Sequence, residues 1–322
     1  MNEKYTYAVA RVKMRETLLL NDQDLNDLIL CKRYDSCLDL LADKGWSINE
    51  KTNDYQKILS SQIDEMWEFI NELVKDKNDF NVLLYPIDFN NLKAAIKLFI
   101  TDSEDKGVFS KGGTIERELI WNAVKEKDFS VLPERLKNVA QNAFEVLLHT
   151  KDPQACDAII DAGLLRAIRD EGYLSSARII KIYSETFVAC ADIKIAMRGC
   201  LMGKKQEFFR TALVECKSLD ISRLALAASK GINEICAYLS STIYEDAIES
   251  IKGSVSEFEK WHNNKALELI SSEKNDYFTI ASIVAYILKR QNEIRMVRII
   301  LASKLAEIDE QHIRKRLGRL YA

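Results

Sequence analysis

The sequence predicts an all-α protein built from three structurally similar helical domains. Three observations lead to this prediction. Only 3 prolines and 11 glycines occur in 322 residues, whereas strand-rich folds use both residues at their many turns. Apolar residues recur at helical steps, and three similar segments follow one another at spacings of 101 and 104 residues.

The clearest predicted helix runs from Asp276 to Leu305, where aliphatic residues recur every three or four positions. Similar patterns predict a helix over Gln62 to Val74 and two or more helices over Leu164 to Met197. Breaks are expected at Tyr85-Pro86, Asp102 to Gly113, Asp152-Pro153, Gly199 to Lys205 and Lys252-Gly253. No strand-like alternation persists, so a parallel sheet is not expected.

Internal repetition defines the predicted domains. The basic–aliphatic segments Asn91 to Lys97, Asp192 to Arg198 and Met296 to Leu301 align with one another, with Lys93, Lys194 and Arg298 at matching positions. This spacing predicts units at 1–105, 106–203 and 204–322. Asp24 and Asp220 each begin a D-(L/I)-x-x-L segment that gives a weaker second match. Chance similarity between amphipathic helices is the alternative.

Composition excludes several classes of function. The 46 basic and 49 acidic residues are mixed along the chain, and a net charge of −3 lacks the concentrated basic face of a nucleic-acid-binding protein. Seven cysteines without a CxxC pair indicate reduced thiols in a cytosol. The charged first residues do not resemble a signal peptide, and no apolar run approaches the roughly 18 to 20 residues that span a bilayer.

The motifs of catalysis and cofactor binding are missing from the sequence. Neither GxxxxGK[ST] nor GxGxxG occurs, and the pair Gly112-Gly113 is expected to be a loop before an N-cap at Thr114. The three histidines lie far apart, and neither HExxH, GxSxG nor DDxxD is present. We therefore expect no enzyme activity, no cofactor and no metal.

The tail, Gln311 to Arg319, is expected to be a short helix. Its four basic residues suit the negative end of a helix dipole, and contact with anionic lipid headgroups is the alternative.

Three segments of the chain resemble a known family. They are Tyr5 to Val12 (YTYAVARV), Tyr85 to Lys93 (YPIDFNNLK) and Ile283 to Lys304 (IVAYILKRQNEIRMVRIILASK). In these segments and in total length the chain is similar to the C subunits of archaeal and bacterial V-type ATPases, which are themselves similar to the d subunit of the eukaryotic enzyme. Met296 and Ser303 stand where that family often has Asn and Gly.

The resemblance implies a funnel of three similar domains under pseudo-threefold symmetry. It would be a non-catalytic rotor component on the cytoplasmic side of the cell membrane, seated on the ring of proteolipid subunits. Its wide end would receive the central shaft, made of the D and F subunits, so that ATP-driven rotation is coupled to proton or sodium transport. Close-packed helices supply the stiffness that torque transmission needs.

The repeat also supplies candidate partner-binding residues. These are Lys93, Lys97, Lys194, Arg198, Arg295 and Arg298, and we expect them to contribute to the socket or its rim. The alternative is that their charged ends only extend from core helices into water. An all-helical adaptor outside any ATPase is the second interpretation of the chain, although solenoid repeats are shorter, at about 20 to 45 residues.

Overall fold

The computed structural model describes residues 5–48, 54–74, 78–103, 106–272 and 279–317. Over these ranges the regular structure consists of α-helices and a few 3-10 turns, and no strand is present, which confirms the all-α prediction. The helices are α1 Thr6–Glu16, α2 Asp22–Leu30, α3 Tyr34–Asp43, α4 Tyr55–Leu73, α5 Asn81–Ile100, α6 Arg117–Glu126, α7 Glu134–Thr150, α8 Pro153–Leu174, α9 Arg178–Leu201, α10 Gln206–Ala212, α11 Ile221–Lys230, α12 Ile232–Leu239, α13 Ile248–Gly253, α14 Val255–Ser272, α15 Ala281–Leu305 and α16 Glu310–Arg316.

The chain divides into two compact units. The first comprises residues 1–77 and 256–322, so the two ends of the chain share one core. There α15 packs against α1 and α4 and also contacts α2, α3 and α16. Its apolar face is fully covered, because Met296, Val297, Ile300 and Leu301 are all 0% exposed.

The second unit comprises residues 78–255. Helix α8 lies at its centre and packs against α5, α7 and α9, while α11 packs against α9, α10 and α12. The two units are defined by contacts between helices, whereas the predicted domains at 1–105, 106–203 and 204–322 are defined by repetition in the sequence. The three-domain organisation stays a prediction.

Most predicted helix boundaries agree with the structure. The last long helix is described from Ala281 to Leu305, while the predicted positions 276–278 lie outside the described residues. The helix predicted over Gln62 to Val74 begins earlier, at Tyr55, because the Asp54 carboxylate caps it by accepting the Gln56 N–H at 2.9 Å. The segment Leu164 to Met197 forms two helices, α8 and α9, as predicted.

The break predicted at Tyr85-Pro86 is wrong, because Pro86 lies inside α5. Proline removes one helical hydrogen bond, which normally favours a kink or an end. Here the neighbouring side chains of Leu84, Tyr85 and Phe89 are 4% exposed or less, so tertiary packing holds the helix together across the proline. The other predicted breaks coincide with ends of helices, apart from positions 104 and 105, which lie outside the described residues.

The predicted N-cap at Thr114 is also wrong. Helix α6 begins after Glu116, and the Thr114 hydroxyl instead donates to the carboxylate of Asp88. In the tail, α16 places three cations, Arg314 to Arg316, in its last turn, as the dipole interpretation predicts. Residues 318 and 319 of the predicted tail lie outside the described residues.

No helix in the described ranges has both the length and the apolar character needed to cross a membrane.

Candidate partner-binding site

The three basic–aliphatic segments occupy the C-terminal turns of three different helices. Lys93 lies seven residues before the end of α5, Lys194 seven residues before the end of α9, and Arg298 seven residues before the end of α15. The spacing in the sequence therefore corresponds to one register on three helices.

These three helices end in the same conformation. Two residues beyond each helix the backbone φ is positive, at Asp102 (50°), Gly203 (65°) and Glu307 (52°). The following N–H then bonds back to a carbonyl five residues earlier, as in a Schellman ending. The three bonds join Ser103 N to Leu98 O (3.0 Å), Lys204 N to Gly199 O (2.9 Å) and Ile308 N to Ser303 O (2.9 Å). Helix α3 ends in the same way, with Gly45 at φ 83° and Trp46 N bonded to Leu41 O at 3.0 Å, so what α5, α9 and α15 share beyond a common ending is the register of the basic residue.

The aliphatic positions of the segments form the buried side of each helix. Positions one before, two after and three after the basic residue are 2% exposed or less in all three helices. These residues are Leu92, Ala95 and Ile96 in α5, Ile193, Ala196 and Met197 in α9, and Val297, Ile300 and Leu301 in α15. The cations consequently point away from the core.

The four predicted cations of α5 and α9 reach water to different degrees. Lys97 and Arg198 are exposed, and Lys93 and Lys194 are half-buried. The ammonium of Lys93 forms an ion pair with Asp161 on α8, with Nζ and Oδ1 2.7 Å apart. Lys93 therefore has an intramolecular partner that the sequence did not indicate.

The two predicted arginines of α15 lie together in a cleft of about 560 Å³ within the first unit. Lys260 and Arg316 line the same cleft, so it is predominantly basic. Arg298 is exposed, whereas Arg295 is half-buried and donates from Nη2 to Asn292 Oδ1 at 2.5 Å.

Arg295 differs from the other five candidates. Burial lowers the pKa of its guanidinium, and the nearby carboxylate of Glu259 opposes this shift. Its counterparts in the other two segments are Asn90 and Ala191, neither of which is basic. Arg295 is therefore peculiar to the third segment rather than part of the repeated pattern.

A buried acid lies five residues before the basic residue in two of the three helices. These acids are Asp88 in α5 and Glu293 in α15, and both are 0% exposed. Asp88 Oδ1 accepts the N–H of Ile115 at 3.1 Å, and Glu293 Oε1 accepts the N–H of Leu20 at 2.8 Å. Ile115 and Leu20 each directly precede the N-cap residue of a helix, α6 and α2 respectively. Each acid thus fixes the start of another helix.

Both acids have a cation beside them. Arg290 Nη1 lies 2.5 Å from Glu293 Oε2, and Arg135 Nη2 lies 3.7 Å from Asp88 Oδ2. Burial raises the pKa of both carboxyls, and these arginines oppose the rise. Gly113 allows the approach to Asp88, since an added Cβ there would lie 2.2 Å from Oδ1.

A second polar position recurs two residues before the basic residue. In α5 it holds Asn91, which accepts the N–H of Ser110 and donates to the carbonyl of Ser110, both at 2.9 Å. In α9 it holds Asp192, whose Oδ1 accepts the N–H of Val214 at 3.0 Å. Burial raises the pKa of Asp192 to about 8, so this carboxyl is mostly protonated at neutral pH.

The sequence contains a signal for these buried polar residues that the basic–aliphatic alignment did not use. Once Lys93 and Arg298 are superposed, Asp88 and Glu293 fall at the same position, and Asn91 and Asp192 likewise coincide. An acid or amide inside an otherwise apolar helical face is a strong indication of a buried hydrogen-bonded group. In contrast, Asp24 and Asp220 do not coincide, because Asp24 is the third residue of α2 and Asp220 is the N-cap of α11.

Known proteins resemble this chain over almost its whole length. The C subunit of the A-type ATP synthase of Methanocaldococcus jannaschii is 22% identical over 355 aligned residues, covering 97% of this chain and 86% of that protein. The C subunit of the A-type ATP synthase of a Desulfurococcus species is 24% identical over 341 residues, covering 98% of this chain and 91% of that protein.

The resemblance seen in the sequence is thereby confirmed, and so is the expectation of a structural, non-catalytic component. The pattern that defines the ATP synthase (C/AC39) subunit family matches residues 8–316, and this chain belongs to that family.

Proposed function

We propose that this chain is the central-rotor component of an A/V-type ATPase. It sits on the membrane ring of proteolipid subunits at the cytoplasmic face and receives the shaft formed by the D and F subunits. In this position it couples ATP-driven rotation to the transport of protons or sodium ions. The observation that carries the proposal is the recurrence, at one register of α5, α9 and α15, of a cation on the outer side of a helix whose neighbouring aliphatic residues are buried.

Recurrence supports a role at a rotation axis. A shaft that enters a socket of three similar domains meets a similar surface from each of them. Side chains that serve only one domain's stability have no reason to keep this outward register. The buried side of each helix is close-packed, and such interiors compress little, which suits a part that transmits torque.

The proposal is tested by reversing one cation on each helix. The triple variant Lys93→Glu, Lys194→Glu and Arg298→Glu is compared with wild type for binding to the purified D–F pair. We expect at least tenfold weaker binding at low salt and a smaller difference at high salt, because exposed charges are screened by ions.

A matched control carries Lys57→Glu, Lys125→Glu and Lys230→Glu. These lysines are exposed, and one lies in each predicted domain, so the control has the same change in net charge. It should bind the D–F pair within about twofold of wild type, since isolated surface charges contribute little. Equal loss of binding in both variants, or in neither, would contradict a role for the repeated cations.

A further inference from the structure

A cleft of about 560 Å³ in the first unit collects cations from three helices. Arg295 and Arg298 reach it from α15, Lys260 from α14 and Arg316 from α16. We call it the basic cleft. Among the described residues that line it, Glu259 is the only acid. Four cations therefore meet a single carboxylate, and the cleft has an excess of three positive charges.

The cations of the basic cleft have few partners within the chain. In the ranges that the structure describes, the side chains of Lys260, Arg298 and Arg316 form no ion pair and no hydrogen bond. The guanidinium of Arg295 is half-buried, and it donates to the neutral amide of Asn292. Burying a cation costs free energy unless an anion pairs with it, so an anionic ligand would be stabilised here.

Two other clefts of the first unit show how cations are balanced elsewhere. One, of about 150 Å³, is lined by Lys44 and Arg290. Lys44 pairs with Asp24 at 2.6 Å. Arg290 pairs with Glu293 at 2.5 Å. The other cleft, of about 540 Å³, sets two arginines against three glutamates. The basic cleft differs from both, because the described residues do not match its cations with carboxylates.

We propose that the basic cleft binds a soluble ligand with two phosphoryl groups, such as inorganic pyrophosphate or a nucleoside diphosphate. A terminal phosphoryl group carries about −1.5 to −2 charges near pH 7. One such group leaves the cleft positive, whereas two come close to neutralising its excess of three positive charges. The volume of the cleft also lies in the range of about 300–1,000 Å³ that is typical of small-molecule sites.

The residue types in the basic cleft suit phosphate oxygens. Arginine presents a planar fork of N–H donors that fits two oxygens of one phosphoryl group, and lysine adds a point charge on a flexible stem. Side chains supply these donors, so the site does not need a glycine-rich loop whose backbone N–H groups hold the phosphates. The absence of GxxxxGK[ST] and GxGxxG from the sequence is therefore compatible with such a site.

The experiment measures binding of sodium pyrophosphate, and separately of ADP, to the full chain by calorimetry. The test variant carries Lys260→Gln and Arg316→Gln. The matched control carries Lys57→Gln and Lys315→Gln, which make the same change in net charge at exposed positions of the first unit that do not line the cleft. Circular dichroism melting without ligand first establishes that both variants fold as wild type does.

We expect the test variant to bind pyrophosphate at least roughly tenfold more weakly than wild type, because it loses two charge-assisted contacts. The control should bind within about twofold of wild type, since isolated surface charges contribute little. Saturating pyrophosphate should also raise the melting temperature of wild type and control more than that of the test variant, because a ligand that binds only the folded state stabilises it.

The inference is overturned if wild type binds neither pyrophosphate nor ADP. It is also overturned if both variants lose affinity equally, which would indicate a general attraction of anions. Flotation with phosphatidylglycerol vesicles and binding to the D–F pair are measured in parallel. If either depends on Lys260 and Arg316 while pyrophosphate does not bind, the cleft serves lipid headgroups or a protein partner instead. Arg298 is unchanged in the test variant, so these results are independent of the cation reversals that test the proposed function.

Discussion

Helices α5 and α15 carry a buried acid that forms an ion pair with an arginine, whereas the buried acid of α9 forms none and the more distant charge of Arg169 acts on it instead. Asp88 has Arg135 within 3.7 Å, and Glu293 has Arg290 at 2.5 Å. Among the described residues Asp192 forms no ion pair within 4 Å, although Arg169 is near enough to lower the pKa of its carboxyl, and its Oδ2 has no hydrogen-bond partner. The helices share a register and an ending, yet they offset the burial of a carboxyl in different ways.

The difference separates two repeated positions, five and two residues before the basic residue, and a buried side chain at each accepts a backbone N–H. Glu293 accepts a backbone N–H with the Arg290 guanidinium beside it, and burial raises the pKa of its carboxyl while Arg290 opposes the rise. Asp192 accepts one as a carboxyl that burial keeps mostly protonated near neutral pH. Asn91, at the position equivalent to Asp192, does so as an uncharged amide. Substitution tests the difference, because replacing Glu293 or Asp88 leaves an arginine without its partner, whereas replacing Asp192 by Asn removes a carboxyl that burial makes unfavourable to ionise.

The largest effect is expected from Glu293→Ala. It removes the acceptor of the Leu20 N–H and leaves the Arg290 guanidinium, which is only 12% exposed, without its carboxylate. Breaking a buried pair from one side costs about 3–5 kcal/mol. We expect a loss of this size in denaturant unfolding and faster hydrogen exchange at the Leu20 amide.

The control for this prediction is Glu293→Gln, which keeps an oxygen acceptor for Leu20 and should lose less stability. A cost below about 1 kcal/mol for the alanine variant would mean that Arg290 is held well enough by its other contacts. Those contacts are Gln62 Oε1 and the ring of Trp46, whose centroid lies 4.9 Å from the guanidinium carbon.

The second effect concerns Asp192 and depends on pH. Its folded-state pKa of about 8 lies above the ordinary value of 3.8, so the folded protein holds the proton more tightly than the unfolded chain. The contribution of this carboxyl to stability is therefore fully present below about pH 4. It falls as the pH rises through the window to about 8, by up to about 1.4 kcal/mol per pH unit.

Asp192→Asn should remove this dependence, because the amide keeps an oxygen for the Val214 N–H and cannot ionise. We expect the variant to be more stable than wild type at pH 8, by at most about 6 kcal/mol, and similar to it at pH 4. Denaturant unfolding at the two pH values measures this difference in stability.

Asp88→Asn is the matched comparison and should destabilise the protein, since it turns an amide N–H₂ towards the Thr114 hydroxyl or Arg135. If both substitutions change the free energy of unfolding in the same direction, the contrast between Asp192 and Asp88 is contradicted.

Sequence periodicity predicted the features of the fold that depend on local pattern. The helical class, the two helices within Leu164 to Met197 and the register of Lys93, Lys194 and Arg298 all follow from the positions of apolar residues. Periodicity failed at Pro86, where packing of buried neighbours overrides the preference of one residue. It also failed at Thr114, whose hydroxyl is used by an acid 26 residues away.

The candidate site was predictable only in part for the same reason. The register of the cations is visible in the sequence, but the ion pair between Lys93 and Asp161 joins residues 68 positions apart, and no local pattern indicates it. The buried acids were detectable as polar residues in apolar helix faces, although their acceptor roles depend on chain segments that only the fold brings near. Arg295 was predicted together with the repeated cations, although Asn90 and Ala191, neither of which is basic, occupy its position in the other two segments.

The smallest effect is expected from Lys93→Met, which separates the two roles that this lysine could have. Its ion pair with Asp161 is partly exposed, with side chains 26% and 51% accessible, and such pairs contribute about 0–1 kcal/mol. The stability of the chain should therefore change by less than about 1 kcal/mol in denaturant unfolding. Binding to the D–F pair should still weaken, because methionine keeps the apolar stem and loses the charge.

Asp161→Asn is the control, since it removes the same ion pair and leaves Lys93 charged. If the asparagine variant weakens D–F binding as much as the methionine variant does, the ion pair rather than the cation supports the partner contact, and Lys93 acts like the buried acids, by positioning a helix.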